Sequence, residues 1–217
     1  FDLDSGKFRV QRGSDTVIEK SIDKNIMAAA IGSKGNYAVA TYGKDAQSVL
    51  TVYDKNGKEK FAWNFSDERI TDIDLSPNGK YAAVAAIKAL NGEISSKLYV
   101  FNLSKADEYA ACFDYGGTTL LKVNYIKGNN IVAVGDNLKS YIKNNTNRQD
   151  DLKFNSDKLH NYCVSQDGSS VLALSKYGSS SLSSLTFYNN RNKERFNVDF
   201  DKEIRGVDTD GKYIAVL

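Results

Sequence analysis

The sequence predicts an all-β fold, a β-propeller built of four-stranded antiparallel blades. A glycine turn followed at once by a small-apolar strand recurs about every forty residues. A strand–turn–strand hairpin sits in phase with it. No stretch of ten or more residues carries a convincing helical repeat, because Gly, Asn, Asp and Ser clusters break every run.

Each repeat holds four short strands, A to D. The turn into strand B reads Ser33-Lys34-Gly35-Asn36 before Tyr37-Ala38-Val39-Ala40, and Ser76-Pro77-Asn78-Gly79-Lys80 before Tyr81-Ala82-Ala83-Val84-Ala85. It returns at Lys127-Gly128-Asn129-Asn130, at Ser165-Gln166-Asp167-Gly168 and at Asp210-Gly211-Lys212. Successive turn glycines lie 44, 49, 40 and 43 residues apart, which is the period of a propeller blade. Strands C and D are clearest in Val49-Leu50-Thr51-Val52-Tyr53, a tight turn over Asn56-Gly57, and Lys60-Phe61-Ala62-Trp63. Echoes run from Lys97 to Tyr109 and from Leu185 to Phe196, with a worn copy from Lys139 to Phe154.

Strand chemistry follows depth. Strand B is small and apolar throughout, as a strand buried on both faces requires. Strand D alternates, as one wet face requires. Strand A, nearest the axis, is mixed: Ile70-Thr71-Asp72-Ile73-Asp74-Leu75. A β-sandwich also shows short strands at regular spacing, but repetition of one four-strand unit in one order argues against it.

Blade by blade, residues 1–22 hold an incomplete blade, complete blades follow at 26–65, 70–115, 120–155 and 160–200, and residues 204–217 supply strands A and B of another. A five-bladed ring in which the two halves share a blade is one geometry. The reading adopted is a single domain over residues 1–217 that is a window on a larger, seven-bladed ring. The two ends, Phe1-Asp2-Leu3 and Tyr213-Ile214-Ala215-Val216-Leu217, look cut, so the chain is expected to be part of a longer protein.

Composition narrows the function. With 29 basic against 27 acidic residues the net charge is +2, which gives no electrostatic case for nucleic acid. A 41% apolar share supports a real core, and no apolar run reaches the ~20 residues that span a bilayer. Two cysteines make no disulfide framework, and with one histidine they make a poor zinc site; no cofactor is expected.

Single candidates for chemistry are weak. His160 has no nucleophile elbow and no second histidine in metal spacing beside it. Cys112 and Cys163, 51 residues apart, are expected as free, mostly buried thiols. Asp2-Leu3-Asp4-Ser5-Gly6 opens like a calcium loop, but the place of the distal glutamate is taken by Arg12. Asp72 and Asp74 alternate on strand A and could line a central channel as paired carboxylates do in glycosidases, yet the other A strands supply no matching acids.

Loops on one face are the stronger signal. The D–A and B–C connections of a propeller emerge on the same side, and function concentrates on loops held by a rigid scaffold. The B–C connections read as long in three blades, over residues 41–47, 87–94 and 176–182. Tyr42, Lys44, Lys88, Lys176 and Tyr177 are the candidate ligand-binding residues. Tyrosine gives a large amphipathic contact at low entropy cost, although Tyr42 and Tyr177 can equally end strand B and cap a blade.

The runs Tyr37-Ala38-Val39-Ala40-Thr41, Leu50 to Glu59, Phe61-Ala62-Trp63, Ile73 to Lys80, Ser96 to Leu103 and Leu174 to Ser179 together resemble a bacterial family of propeller-like proteins of unknown function, kin to Trp-Asp-repeat and lactonase propellers. The resemblance covers nearly the whole chain. It implies an N-terminal membrane helix, a propeller outside the cytoplasm and no assigned catalytic residues. The Trp-Asp dipeptide itself is absent, and the only tryptophan is Trp63. Two functions follow. The first is a non-catalytic module that recognises a protein or cell-envelope glycan through the loop-rich face. The alternative is a glycan-acting hydrolase or lyase with its site in the channel, which needs acids and bases converging from several blades.

Overall fold

The computed structural model describes residues 5–90, 92–149, 151–154, 158–175 and 182–217. Among these residues the chain is entirely β, with strands in small antiparallel sheets and no helix. It divides into two compact units, Phe1–Val123 and Asn124–Leu217.

In the first unit β1 (Lys7–Arg12) and β2 (Asp15–Ser21) form a two-stranded hairpin. The first four-stranded sheet follows in chain order: β3 (Ile26–Ile31), β4 (Tyr37–Thr41), β5 (Ser48–Tyr53) and β6 (Glu59–Phe65). The second has the same order: β7 (Arg69–Leu75), β8 (Tyr81–Leu90), β9 (Glu93–Asn102) and β10 (Tyr109–Gly116). The two sheets pack through Leu50, Val52, Phe61 and Phe65 against Val84, Tyr99 and Phe101. The β1–β2 hairpin lays Phe8, Val10 and Ile18 against Tyr37 and Val39 of the first sheet, and Lys20 donates to the carbonyl of Gly57 at 2.9 Å.

The division between units falls inside β11 (Leu120–Ile126). This strand opens a sheet continued by β12 (Asn130–Gly135) and β13 (Leu138–Lys143). Its outer strand is split into two-residue pieces, β14 (Asn147–Arg148) and β15 (Leu152–Lys153), both paired with β13. The fourth sheet is β16 (Lys158–Val164), β17 (Ser170–Ser175), β18 (Ser183–Tyr188) and β19 (Glu194–Phe200). It packs on the third through Leu159, Tyr162 and Val164 against Ile126, Val132 and Val134. Its other face meets the hairpin of β20 (Val207–Thr209) and β21 (Ile214–Val216).

The repeat has a backbone cause. All five turn glycines have positive φ, from 73° at Gly79 to 90° at Gly211, a region that costs side-chain-bearing residues energy but not glycine. In each of three copies a residue three before the glycine accepts its N–H: Gly32, Ser76 and Ser165. Strand B is buried along its length in β4, β12 and β17, so its small side chains let neighbouring sheets approach. The turn between strands C and D is also shared. Asp54 accepts from the N–H groups of Asn56 and Lys58, and Asn189 accepts from those of Arg191 and Lys193 in the fourth sheet. There Asn192, at φ 57°, replaces the glycine of the first sheet.

One connection departs from expectation. Residues 87–94 do not form a long loop: β8 and β9 run on to Leu90 and back from Glu93, pairing through Ala89 and Ile94. The result is a two-stranded ribbon that extends past the flanking strands, turning at Gly92 with φ 82°.

Candidate binding face

In the first unit the B–C connections and the link between β6 and β7 come together on one side. Ser48, buried at the start of β5, is the fastener. Its hydroxyl donates to the carbonyl of Glu68 at 2.8 Å and accepts from the N–H of Ile70 at 3.2 Å. Ser96 repeats the device one sheet later, accepting from the N–H of Leu120 at 3.0 Å.

The side chains above this seam are paired. Tyr42 is 37% exposed; its hydroxyl accepts from Arg69 at 2.6 Å, with the guanidinium carbon 5.2 Å from the ring centre. Lys44 is exposed two residues further along the same connection, whose tight path is set by Gly43, where a Cβ would lie 2.4 Å from the carbonyl oxygen of Ala46. Lys88, on the ribbon, forms an ion pair with Asp67, and that ammonium hydrogen bond holds the Asp67 carboxyl below its usual range. Below them Glu68 is almost fully buried. It accepts from the hydroxyl of Tyr99 at 2.7 Å and pairs with Lys97 at 3.0 Å. Burial and then the hydrogen bond to Glu68 push the Tyr99 phenol up, and the hydrogen bond to Glu68 raises Lys97.

The face therefore differs in character from a bare lysine-and-tyrosine surface. Lys88 is neutralised by Asp67 rather than free, and Tyr42, directly after β4, is clasped by Arg69 at the start of β7. Asp67, Glu68 and Arg69 escape sequence reasoning because their partners lie 21, 31 and 27 residues away. The charged run Asp67-Glu68-Arg69 between two strands is the one signal that marks them. Lys176 and Tyr177 lie outside the described residues, as do Asp2 to Asp4.

The remaining candidates have structural employment. Asp72 accepts from the N–H of Val123 at 2.8 Å and from Lys122 at 2.9 Å. It thus ties β7 to the start of β11, and burial lifts its carboxyl despite these donors. Asp74 accepts from the N–H of Leu75. The two acids do not act as a free pair. Cys112 and Cys163 are free thiols, half-buried rather than mostly buried, and burial raises both. Cys163 lies 3.2 Å from Asp208. His160 is exposed on β16.

The described residues thus define an all-β protein of repeated four-stranded antiparallel sheets. This chain belongs to the family described as a family of unknown function (DUF5711), whose model matches residues 1–217. Among curated proteins none matches it. Its fold is similar to that of a solved protein of unknown function from Bacteroides caccae, at 12% identity and a TM-score of 0.52. The match covers 86% of this chain and 65% of the other, so the chain spans about two thirds of that protein's length. In all, 524 solved chains are similar, and a fold so widely shared singles out no activity.

Proposed function

We propose that the chain is the greater part of a β-propeller, a window on a seven-bladed ring, that recognises a protein or cell-envelope glycan without catalysing a reaction. The protein is carried outside the cytoplasm on a membrane anchor. The propeller reading is supported by sheets that all follow the order A-B-C-D. The two hairpins fit the same frame: β20–β21 has the connection of strands A and B, and β1–β2 that of C and D. The edge of β1 away from β2 has no strand paired to it among the described residues, and beside it lies a groove of about 310 Å³ lined by Phe8, Val10, Ala29 and Ile31. If further strands of a ring cover that groove, residues 1–217 expressed alone should bind an apolar reporter dye strongly. A monomer that excludes the dye and unfolds in one cooperative step would overturn this part.

The binding reading rests on one observation: Tyr42, held by Arg69, stands exposed beside the β8–β9 ribbon on sheets that fix both. A large side chain already held in place forfeits little entropy on binding. Because Lys88 is neutralised, the face suits a neutral, hydrogen-bonding partner better than a strongly anionic one. Tyr42→Ala should weaken binding of immobilised envelope glycan or purified envelope protein by ~1–2 kcal/mol, roughly 5–30-fold. Unchanged affinity with an intact fold would discard this face. Turnover of a glycan by the purified protein would instead favour a hydrolase or lyase.

A further inference from the structure

The fourth sheet repeats the first in register but not in cover. Phe196 pairs with Phe187 and Val198 with Leu185 across β18 and β19, as Phe61 pairs with Val52 and Trp63 with Leu50 across β5 and β6. In the first sheet these outer positions are covered by the second: Phe101 of β9 lies 5.4 Å from Phe61 and 5.0 Å from Trp63, and Phe61 is 3% exposed. In the fourth sheet Phe196 is 40% and Val198 47% exposed. The apolar seam formed by Val171 and Leu185 with Ile204, Val207 and Ile214 continues outward through Phe187, stacked on Phe196 at 5.7 Å, and there loses its cover. Beside it β21 pairs only with β20 among the described residues.

A buried hydroxyl marks the same gap. Ser48 pairs with Phe65 across the sheet and accepts from the N–H of Ile70, five residues after Phe65. Ser96 pairs with Tyr115 and accepts from Leu120, again five residues on. Ser183 pairs with Phe200, so the matching donor is Arg205. Yet the buried Ser183 hydroxyl has no hydrogen-bond partner among the described residues, and the N–H of Arg205 goes to the carbonyl of Leu217 at 2.7 Å. A hydroxyl enclosed without a partner is destabilising.

We propose, on the reading of the chain as part of a larger ring, that this face receives a β-hairpin following Leu217 in the same polypeptide, the C and D strands of the fifth sheet, and that its docking closes Ser183 onto the N–H of Arg205. Each four-stranded sheet is built in chain order, so strand C pairs with the open edge of β21, its inward side chains large and apolar like Tyr99 and Phe101. Pairing on that edge lengthens β21 and with it β20, which begins at Val207, seven residues after Phe200, where β7 begins four after Phe65. The chain's own β1–β2 hairpin does not suit the seam. Its apolar face is spent, with Phe8 and Val10 against Tyr37 and Val39, and the other face carries Arg9 paired to Glu19 at 2.9 Å. Laying that ion pair on Phe196 would strip water from both charges, and a second copy offers only the same hairpin.

The test is photocrosslinking of the full-length protein with Phe196 replaced by p-benzoylphenylalanine, the joined peptides being sequenced by mass spectrometry. The expected crosslink lies within one polypeptide and reaches a residue beyond Leu217. A crosslink to β1–β2 overturns this docking and the larger ring together. A crosslink to a second copy or to another protein, or none at all, overturns the docking alone. Ser183→Ala in the full-length protein should lower the thermal midpoint as much as Ser48→Ala does, by about 2–4 °C. A midpoint unmoved by Ser183→Ala overturns the closure onto Arg205.

Discussion

Phe101→Ala should cost about 3–5 kcal/mol, the largest loss expected from any single truncation in the first unit. Phe101 is fully buried at the meeting point of four other rings. Trp63 lies 5.0 Å from it, Phe61 5.4 Å, Tyr99 6.0 Å and Phe65 6.1 Å, centre to centre. Removing the ring forfeits its burial, opens a cavity between two sheets and breaks several edge and tilted contacts together. Neither sheet can relax into the gap without disturbing strand pairing. Trp63 is the only tryptophan and touches the site, so its fluorescence in a denaturant titration reads the change. Phe101→Leu, which keeps most of the volume, should cost far less. A loss below about 1 kcal/mol for the alanine variant would show that the cluster is not the seam between these sheets.

Lys139→Met should act in the opposite direction, raising stability by about 3 kcal/mol at pH 7. The native amine titrates at about 8, against 10.5 when exposed. Between those values the unfolded chain holds more protons than the folded one, so native stability climbs with pH through that window and is flat below it. The gain from methionine is consequently full below pH 8 and has largely vanished by pH 10.5. Urea unfolding followed by circular dichroism at both values measures it. An unchanged difference between variant and native protein across the two pH values would mean that the amine finds a partner on folding.

The all-β class and the four-stranded antiparallel sheets are legible in the sequence because they depend on local chemistry. Gly79 and Gly168 announce their turns through a conformation other residues resist, and Ala82 to Ala86 announce a strand that only small side chains allow. The β8–β9 ribbon is less legible. Asn91-Gly92 is the same two-residue turn signal as Asn56-Gly57, but the apolar residues around it also fit a loop, and only pairing across the turn decides. The candidate face is half legible. Tyr42, Lys44 and Lys88 stand out by type and position. Their environment is set by Asp67 and Arg69 on another connection, and no local pattern links residues that meet only after the sheets pack. Lys139 is hidden for a similar reason: on its strand it reads as an ordinary wet position, and its enclosure comes from the fourth sheet.

The serine fasteners bear on the order in which the protein is made. Ser48 sits on β5 and receives the backbone of Glu68 and Ile70, which leave the ribosome later; Ser96 on β9 does the same for Leu120. The first strand of each new sheet thus meets a docking point that the preceding sheet has already built. A chain synthesised at about 5–20 residues per second completes one repeat every few seconds, far longer than a hairpin needs to form. Folding can therefore proceed as vectorial templating, each sheet serving as the mould for the next while synthesis continues.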